Sequence, residues 1–98
     1  MTKAYLIGQI SITNSEAYSV YSAQVPKTIV PFGGRYLVRG GHSTSLEGKP
    51  QGERHVVIEF PNRAAAQAWY ESDAYQAIIK HRTDNATGFL TLVDGYSQ

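Results

Sequence analysis

The stretch Lys3–Ile12, KAYLIGQISI, decides the fold because its side chains alternate along its whole length. Successive side chains of a β-strand point to opposite faces of the sheet. One face of this predicted strand carries small or apolar residues, namely Ala4, Leu6, Gly8, Ile10 and Ile12. The other face mixes apolar with polar residues, namely Tyr5, Ile7, Gln9 and Ser11. The pattern therefore predicts a strand with one face in a core and a second face that is only partly polar.

Three further segments are predicted to be strands. They are Arg35–Gly40 (RYLVRG), Arg54–Phe60 (RHVVIEF) and Thr87–Val93 (TGFLTLV). The stretch Gly48–Glu53 between the second and third strands is typical of a hairpin loop. Gly40 and Gly41 indicate a β-bulge, because paired glycines weaken the ladder and permit unusual backbone angles.

The first predicted helix begins after Asn14, a residue type that caps the free N–H groups of a first turn. Pro26 is expected to kink or split this helix, and Pro31 with Gly33 and Gly34 is expected to end it. Its apolar stripe recurs at spacings of three and four residues: Tyr18, Tyr21, Val25, Ile29 and Phe32.

The second predicted helix spans Arg63–Tyr70, with Asn62 as its N-cap. Ser72 can cap a further turn that carries Tyr75, Ile78, Ile79 and Arg82. The predicted order is thus β-α-β-β-α-β, an α+β ferredoxin-like arrangement with a four-stranded antiparallel sheet. We expect residues 1–98 to form a single domain.

Composition excludes several classes of function. The 98 residues include no cysteine and carry a net charge of +1, so disulfide scaffolds and thiolate metal sites are excluded. The charge provides no field for attracting nucleic acid or an acidic membrane surface. No apolar run approaches the ~20 residues of a membrane span. We expect a cytoplasmic protein without nucleic-acid or membrane partners.

The two faces of the predicted sheet differ, and the difference predicts assembly. The helix-covered face is assigned Leu6, Ile10, Ile12, Tyr36, Val38, Val56, Ile58, Phe60, Leu90 and Leu92. The open face is assigned Tyr5, Ile7, Gln9, Leu37, Arg39, His55, Val57, Glu59, Phe89, Thr91 and Val93. A solvated face should be more polar than this, so we expect a two-fold homodimer packed sheet against sheet. The alternative is an ordinary mixed surface.

Candidate ligand contacts come from two groups of residues. Arg39, His42 and Glu59 are candidate polar contacts for a small anionic or aromatic ligand, with Arg54 as an alternative clamp for a carboxylate. Cross-strand ion pairs are the competing interpretation of these charges. Candidates for the apolar wall of a cavity between sheet and helices are Tyr18, Tyr21, Trp69 and Tyr70, although such a stripe is also typical of core packing.

Motifs for specific chemistry are absent from the sequence. The three histidines have no metal-ligand spacing, and the glycine pairs lack the spacing of a phosphate-binding loop. The glycine-aromatic pattern of RNA-binding domains is missing as well. We therefore expect no metal and no cofactor. His42 and Glu59 are the weak candidates for a catalytic base.

The chain resembles one family through an ordered set of segments: KAYLIGQISITNSEAYSVY, GGRYLVRGG followed by LEG, RHVVIEFPNRAAAQAWYES and DAYQ. Together they cover essentially the whole chain and resemble the domain of unknown function 1330 family. The resemblance implies membership of the dimeric α/β-barrel superfamily, in which ferredoxin-like subunits pair through their sheets. That superfamily includes cofactor-free monooxygenases and isomerases. A ligand-binding dimer, an enzyme of that kind and a purely structural dimer therefore remain three alternatives, because a fold does not decide function.

Overall fold

The structure is a computed structural model that describes residues 2–96, in which four strands and four helices form. The strands are β1 (Ala4–Ile12), β2 (Arg35–Arg39), β3 (Arg54–Phe60) and β4 (Ala86–Asp94). The helices are α1 (Ser15–Ile29), α2 (Arg63–Tyr70), α3 (Asp73–Gln76) and α4 (Ile79–Thr83), and a 3₁₀ turn at Val30–Phe32 follows α1. All four predicted strands are confirmed, with boundaries that differ by at most one residue.

The strands form one antiparallel sheet in the order β2-β3-β1-β4. In the two central strands Tyr5 lies opposite Glu59 and Gln9 lies opposite His55. This topology confirms the predicted α+β, ferredoxin-like fold with a four-stranded antiparallel sheet.

The core lies between the helices and one face of the sheet. Buried side chains of β1 and β3 meet those of α1 and α2, and Trp69 is completely enclosed. The Trp69 Nε1 donates a hydrogen bond of 2.9 Å to the buried Thr28 Oγ1, so the one polar atom of the indole ring is satisfied inside the core. The buried apolar residues are Ala4, Leu6, Ile10, Tyr18, Tyr21, Val25, Ile29, Val56, Ile58, Phe60, Ala66, Trp69, Tyr75 and Ile78.

The predicted N-caps are confirmed. Asn14 Oδ1 accepts from the Ala17 N–H at 3.0 Å, and Asn62 Oδ1 accepts from the Ala65 N–H at 2.8 Å. Each bond satisfies one of the N–H groups that the first turn of a helix leaves free.

The prediction that Pro26 splits the first helix is wrong, because α1 continues through it to Ile29. Proline has no N–H, so the carbonyl four residues earlier loses its helical donor. That carbonyl belongs to Ser22, and it accepts instead from Arg39 Nη2 at 2.6 Å. A side chain from β2 therefore replaces the hydrogen bond that Pro26 removes.

A β-bulge at Leu37 corrects the predicted faces of β2. Tyr36 pairs with Ile58, but the next paired residue is Val38, opposite Val57. The extra residue reverses the alternation, so Val38 shares the open face with Val57 and Arg39 points toward the helices. The predictions that Val38 faces the core and Arg39 the open side are wrong for this reason, as is the bulge predicted at Gly40 and Gly41.

Within residues 2–96, all helices lie on one face of the sheet and leave the other face open. The described molecule is a slab with principal extents of 37 × 35 × 16 Å. Its accessible surface is 6248 Å², whereas a compact monomer of this mass would expose about 5,500 Å². Apolar side chains on the open face are markedly exposed, including Leu37 at 47%, Val38 at 40%, Phe89 at 37% and Val93 at 41%.

Two glycines in adjacent strands give a test of this sheet. Gly88 has a φ of 126°, and a Cβ there would collide with the Gln9 carbonyl oxygen, whereas a Cβ on Gly8 would come no closer than 3.4 Å to its neighbours. We predict that Gly88→Ala lowers the free energy of unfolding by about 2–4 kcal/mol. Gly8→Ala should change it by less than about 1 kcal/mol. Urea unfolding of both variants measures the difference, and equal losses would contradict the described strand pairing.

Candidate functional site

A small cavity lies between the sheet and helices α1 and α4. The sheet contributes an apolar floor, and tyrosines with two arginines form the polar wall. The lining residues are Leu6, Gly8, Ile10, Tyr18, Tyr21, Ser22, Tyr36, Arg54, Val56, Ile58, Arg82 and Leu90. We call it the tyrosine–arginine cavity. Its volume is about 20 Å³, which is room for about one water molecule.

Helix α1 and strand β2 supply the tyrosines. Tyr18 and Tyr21 are three residues apart and therefore share one face of α1, with ring centroids 5.4 Å apart. Tyr36 lies opposite Ile58 on the core side of the sheet. The Tyr21 hydroxyl is 2.8 Å from the hydroxyl of the fully buried Tyr75. The aromatic wall is thus anchored in the core.

The two arginines reach the cavity from the sheet and from a helix. Arg54 begins β3 opposite Ile10, and its Cζ lies 5.6 Å from the centroid of the Tyr18 ring. Gly40 leaves space for this side chain, because a Cβ at Gly40 would collide with the Arg54 guanidinium. Arg82 is on α4, and its Cζ lies 6.0 Å from the centroid of the Tyr21 ring. Each guanidinium therefore lies close to an aromatic ring, whose electrons attract the positive charge of the arginine.

Both arginines retain unused hydrogen-bonding capacity. The Nε atoms of Arg54 and Arg82 are buried and have no acceptor within residues 2–96. None of the described lining residues is acidic. Burying a charged donor without a partner costs free energy. An anionic acceptor in the cavity would remove that cost.

Two acidic residues form ion pairs within the range that the structure describes, and both lie outside the cavity. Glu59 pairs with Lys3 and Arg35 on the other side of the sheet, and Asp94 pairs with Arg63 at the surface. The positive charge of the cavity is therefore not neutralised by these carboxylates.

The titration behaviour of the cavity follows from burial. Burial raises the pKa of Tyr21 far above its usual value, and the neighbouring Tyr75 raises it further. Burial also raises the pKa of Tyr18, against the opposing charge of Arg54. For Arg82, burial lowers the pKa, but Tyr75 and Tyr21 outweigh that effect and the pKa lies above its usual value. At neutral pH Tyr18 and Tyr21 are neutral and Arg82 is charged, so the wall is suited to donating hydrogen bonds to an anion.

Only part of the predicted ligand-contact set meets at this cavity. Tyr18 and Tyr21 line it. Trp69 lies within the core, and Tyr70 is exposed on α2. Arg39 lies on β2, at the edge of the sheet, and is not among the lining residues. Its Cζ is 4.9 Å from the centroid of the Tyr36 ring, and its Nη2 donates to the Ser22 carbonyl of α1.

Glu59 lies on the open face of the sheet, away from the cavity. Its carboxylate accepts from Arg35 Nε at 2.9 Å, from the Tyr5 hydroxyl at 3.2 Å and from Lys3 Nζ at 3.3 Å. The hydrogen bond from Arg35 is the largest effect and lowers the pKa of Glu59. Desolvation opposes it, but the hydrogen bonds from Lys3 and Tyr5 lower the pKa as well, and the net shift is downward. The competing interpretation of Glu59 as a cross-strand ion pair fits this geometry, with Arg35 and Lys3 as the partners.

His42 lies in the exposed loop between β2 and β3. That loop, with Gln9 and His55 of the sheet, borders an open cleft of about 740 Å³. Gln9 Oε1 accepts from the Gln51 N–H at 2.8 Å and so ties the end of the loop to β1. The structure thus places His42, Glu59 and the tyrosine–arginine cavity in three separate regions.

The predicted contacts omit Arg82 and Tyr36 and include Arg54 only as an alternative. Two sequence signals point to the arginines. Arg54 shares the alternation of Val56 and Ile58, so it is a charge on a core-facing position of β3. Arg82 follows Ile78 by four residues, which places it on the buried side of its helical turn.

Within residues 2–96, no cluster of three or more His, Asp or Glu side chains is arranged to hold a metal ion. None of the helices in that range combines the length and the apolarity that a membrane crossing requires.

Comparison with known proteins identifies a family and a fold. Residues 3–96 match the family model described as domain of unknown function (DUF1330). No curated protein matches the sequence. Among solved structures, a protein of unknown function from Rhodopseudomonas palustris, RPA0582, has 17% identity and a TM-score of 0.79, covering 99% of this chain and 85% of that one.

Two further solved structures with assigned activities share the fold. SnoaB, a cofactor-independent oxygenase from Streptomyces nogalater, has 7% identity and a TM-score of 0.63, with coverage of 100% of this chain and 97% of that one. An antibiotic biosynthesis monooxygenase has 14% identity and a TM-score of 0.55, with coverage of 100% and 99%. Identities this low show a common fold alone.

The Glu59 cluster predicts a specific dependence of stability on pH. Because its folded-state pKa is lowered, Glu59 contributes stability above its unfolded pKa of about 4.3, and loses it as the pH falls through the folded pKa. Glu59→Gln should therefore be less stable than the wild type at neutral pH and equally stable in acid. Thermal unfolding between acid and neutral pH measures this, with Glu47→Gln in the exposed loop as the control. A stability difference that does not change with pH would contradict the role of the ionised carboxylate.

Proposed function

Since the chain belongs to the domain of unknown function 1330 family, whose name assigns no activity, we propose its function from the cavity: it is a homodimeric protein that binds a small anion in the tyrosine–arginine cavity of each protomer. The observation that carries this proposal is the pair of buried arginine Nε atoms that have no acceptor among residues 2–96. Arginine presents several N–H donors in a plane and pairs well with carboxylates. A bound carboxylate would satisfy both arginines.

Because the cavity holds about one water molecule, a larger ligand has to displace side chains as it enters. Arg54 and Arg82 are the groups best placed to move, because long arginine side chains can keep their stems packed while the head group shifts. Their aromatic neighbours remain anchored through the Tyr21–Tyr75 hydrogen bond. Binding in this account reorders the arginines and leaves the helices in place.

The open sheet face supports the dimer. It exposes Leu37, Val38, Phe89 and Val93 on a slab only 16 Å thick, and contiguous exposed apolar surface marks interaction sites. A second copy packed on this face would cover these side chains. Each tyrosine–arginine cavity lies on the helix side of the sheet, so pairing through the open face leaves both cavities accessible from the helix layer.

Two remaining features complete the proposal. We assign residues 1–98 to a single domain and place the protein in the cytoplasm, where the absence of cysteine suits a reducing environment.

A cofactor-free oxygenase is the second candidate, and its support is the fold shared with SnoaB along the whole chain. Such a reaction needs a group that takes a proton from the substrate. The tyrosine hydroxyls have raised pKa values, and His42 and Glu59 lie in other regions. Binding without chemistry therefore has the stronger support.

Native mass spectrometry of protein purified from its own host tests the bound anion. We expect one small additional mass per protomer, and we expect the double substitution Arg54→Gln with Arg82→Gln to remove it. Lys80→Gln, which deletes an exposed charge on the same helix as Arg82, should retain it. An additional mass that persists in the double variant would contradict the proposed site, as would the absence of any additional mass.

The unliganded protein offers an independent test of the arginine pair. Arg82→Met keeps the apolar stem and removes the buried Nε donor that has no acceptor within residues 2–96, so the cost of leaving that donor unsatisfied is removed as well. We predict that urea unfolding of ligand-free Arg82→Met shows unchanged or increased stability. A loss of more than about 1 kcal/mol would mean that Arg82 serves the fold through its tyrosine contacts.

The dimer is tested by light scattering. We predict a mass near twice 10.8 kDa for the wild type. Phe89→Glu places a charge on the open face and should shift the mass toward that of the monomer, because a buried unpaired charge is costly. Ala68→Glu, which adds the same negative charge on the exposed side of α2, should leave the mass unchanged. A wild-type mass near that of one chain at micromolar concentration would overturn the dimer.

A further inference from the structure

The geometry points to an amphipathic carboxylate as the ligand, and this inference rests on the proposed function. We infer that the carboxylate meets Arg54 and Arg82 in the tyrosine–arginine cavity. An apolar body of the same molecule would lie in an adjoining groove between α2 and β4. We call this second site the α2–β4 groove.

The α2–β4 groove has the size and the surface of a small-molecule site. Its volume is about 310 Å³, and its walls include Leu6, Ala66, Tyr70, Leu90 and Leu92. Pockets for small ligands begin at about 300 Å³ and are mostly apolar. The groove is much larger than the cavity, so it can hold the greater part of a ligand.

The groove and the cavity adjoin at two shared residues, since Leu6 and Leu90 line both. Gly8 lies opposite Leu90 in the sheet, and a Cβ built on Gly8 would meet Leu90 Cδ2 at 3.5 Å, so the Leu90 side chain packs beside this glycine. Leu90 is only partly buried. We infer that an elongated ligand moves this side chain aside and occupies both spaces.

The charges orient this molecule. At the groove, Arg63 donates through Nε to Asp94 Oδ1 at 2.8 Å, so its charge is already compensated. At the cavity, the buried Nε atoms of Arg54 and Arg82 have no acceptor in the described part of the chain. An anionic head is therefore stabilised at the inner end, and the apolar body extends outward along Leu90 and Leu92.

A carboxylate is the smaller of the two anionic heads that pair with an arginine through two parallel hydrogen bonds, the other being a phosphate. In a cavity of about 20 Å³, a flat carboxylate requires less displacement of side chains than a tetrahedral phosphate. The structure therefore favours a carboxylate head.

Calorimetric titration with three probes tests the inference in the wild-type protein: acetate carries only the head, octanoate carries head and body, and octanol carries only the body. If the body is buried, each methylene should raise affinity by about twofold to fourfold. Octanoate should therefore bind about a hundredfold or more tighter than acetate, and clearly tighter than octanol.

A pair of variants on one strand locates the body. Leu92→Thr changes the groove but not the cavity, whereas Phe89→Thr makes an equally polar change on the opposite face of β4. We expect Leu92→Thr to weaken octanoate binding about fivefold or more without affecting acetate, in line with the apolar surface removed. Phe89→Thr should leave octanoate binding unchanged.

The outcomes separate this inference from the proposed function. Equal affinities for acetate and octanoate would overturn the groove but leave the anion site standing. Equal affinities for octanoate and octanol would overturn the carboxylate head. The same conclusion would follow if native mass spectrometry finds a bound molecule in the protein from its host but neither acetate nor octanoate binds. Loss of octanoate binding in Phe89→Thr alone would assign the probe to the open sheet face and also overturn the inference.

Discussion

Side chains alternate strictly between the two faces of the sheet, except at the bulge at Leu37. The rest of the structure depends on this constraint. It sends apolar residues of β1 and β3 to the helices and, after the bulge, turns Arg39 toward them as well. Arg39 then supplies the donor that Pro26 denies to the Ser22 carbonyl, which allows α1 to continue to Ile29. Tyr18 and Tyr21 take their places over the sheet on that unbroken helix. A single extra residue in an edge strand therefore supports the wall of the candidate site.

The same alternation places two clusters of charged residues on opposite faces of the sheet. On the open face, Glu59 gathers Arg35, Lys3 and Tyr5 across neighbouring strands, an arrangement that stabilises strand pairing. On the helix side, Arg54 and Arg82 lie beside aromatic rings, and their buried Nε atoms find no acceptor among the residues that the structure describes. Folded proteins normally satisfy buried donors. The first cluster therefore serves the fold, whereas the second retains an unfavourable arrangement of the kind that binding sites keep.

Much of the fold could be predicted from local patterns, because alternation, caps and turn residues act over short distances. The strands, the N-caps Asn14 and Asn62, and the sheet topology followed from these rules. The faces of Val38 and Arg39 could not, because the bulge depends on pairing with β3, and the continuity of α1 depends on a hydrogen bond across 17 residues of sequence. Among the predicted ligand contacts, Tyr18 and Tyr21 share the cavity, whereas Glu59 and His42 lie far from it because the sheet and a long loop come between.

Nuclear magnetic resonance of the arginine Nε–H groups tests the central claim most directly, since the sequence contains only five arginines and each gives one signal. Titration of the ligand-free protein with octanoate should shift the signals of Arg54 and Arg82 in the manner of a newly formed hydrogen bond to an anion. That of Arg35, which already bonds to a carboxylate on the open face of the sheet, should stay in place. Shifts confined to the surface arginines, or spread evenly over all five, would contradict an anion site between the helices and the sheet.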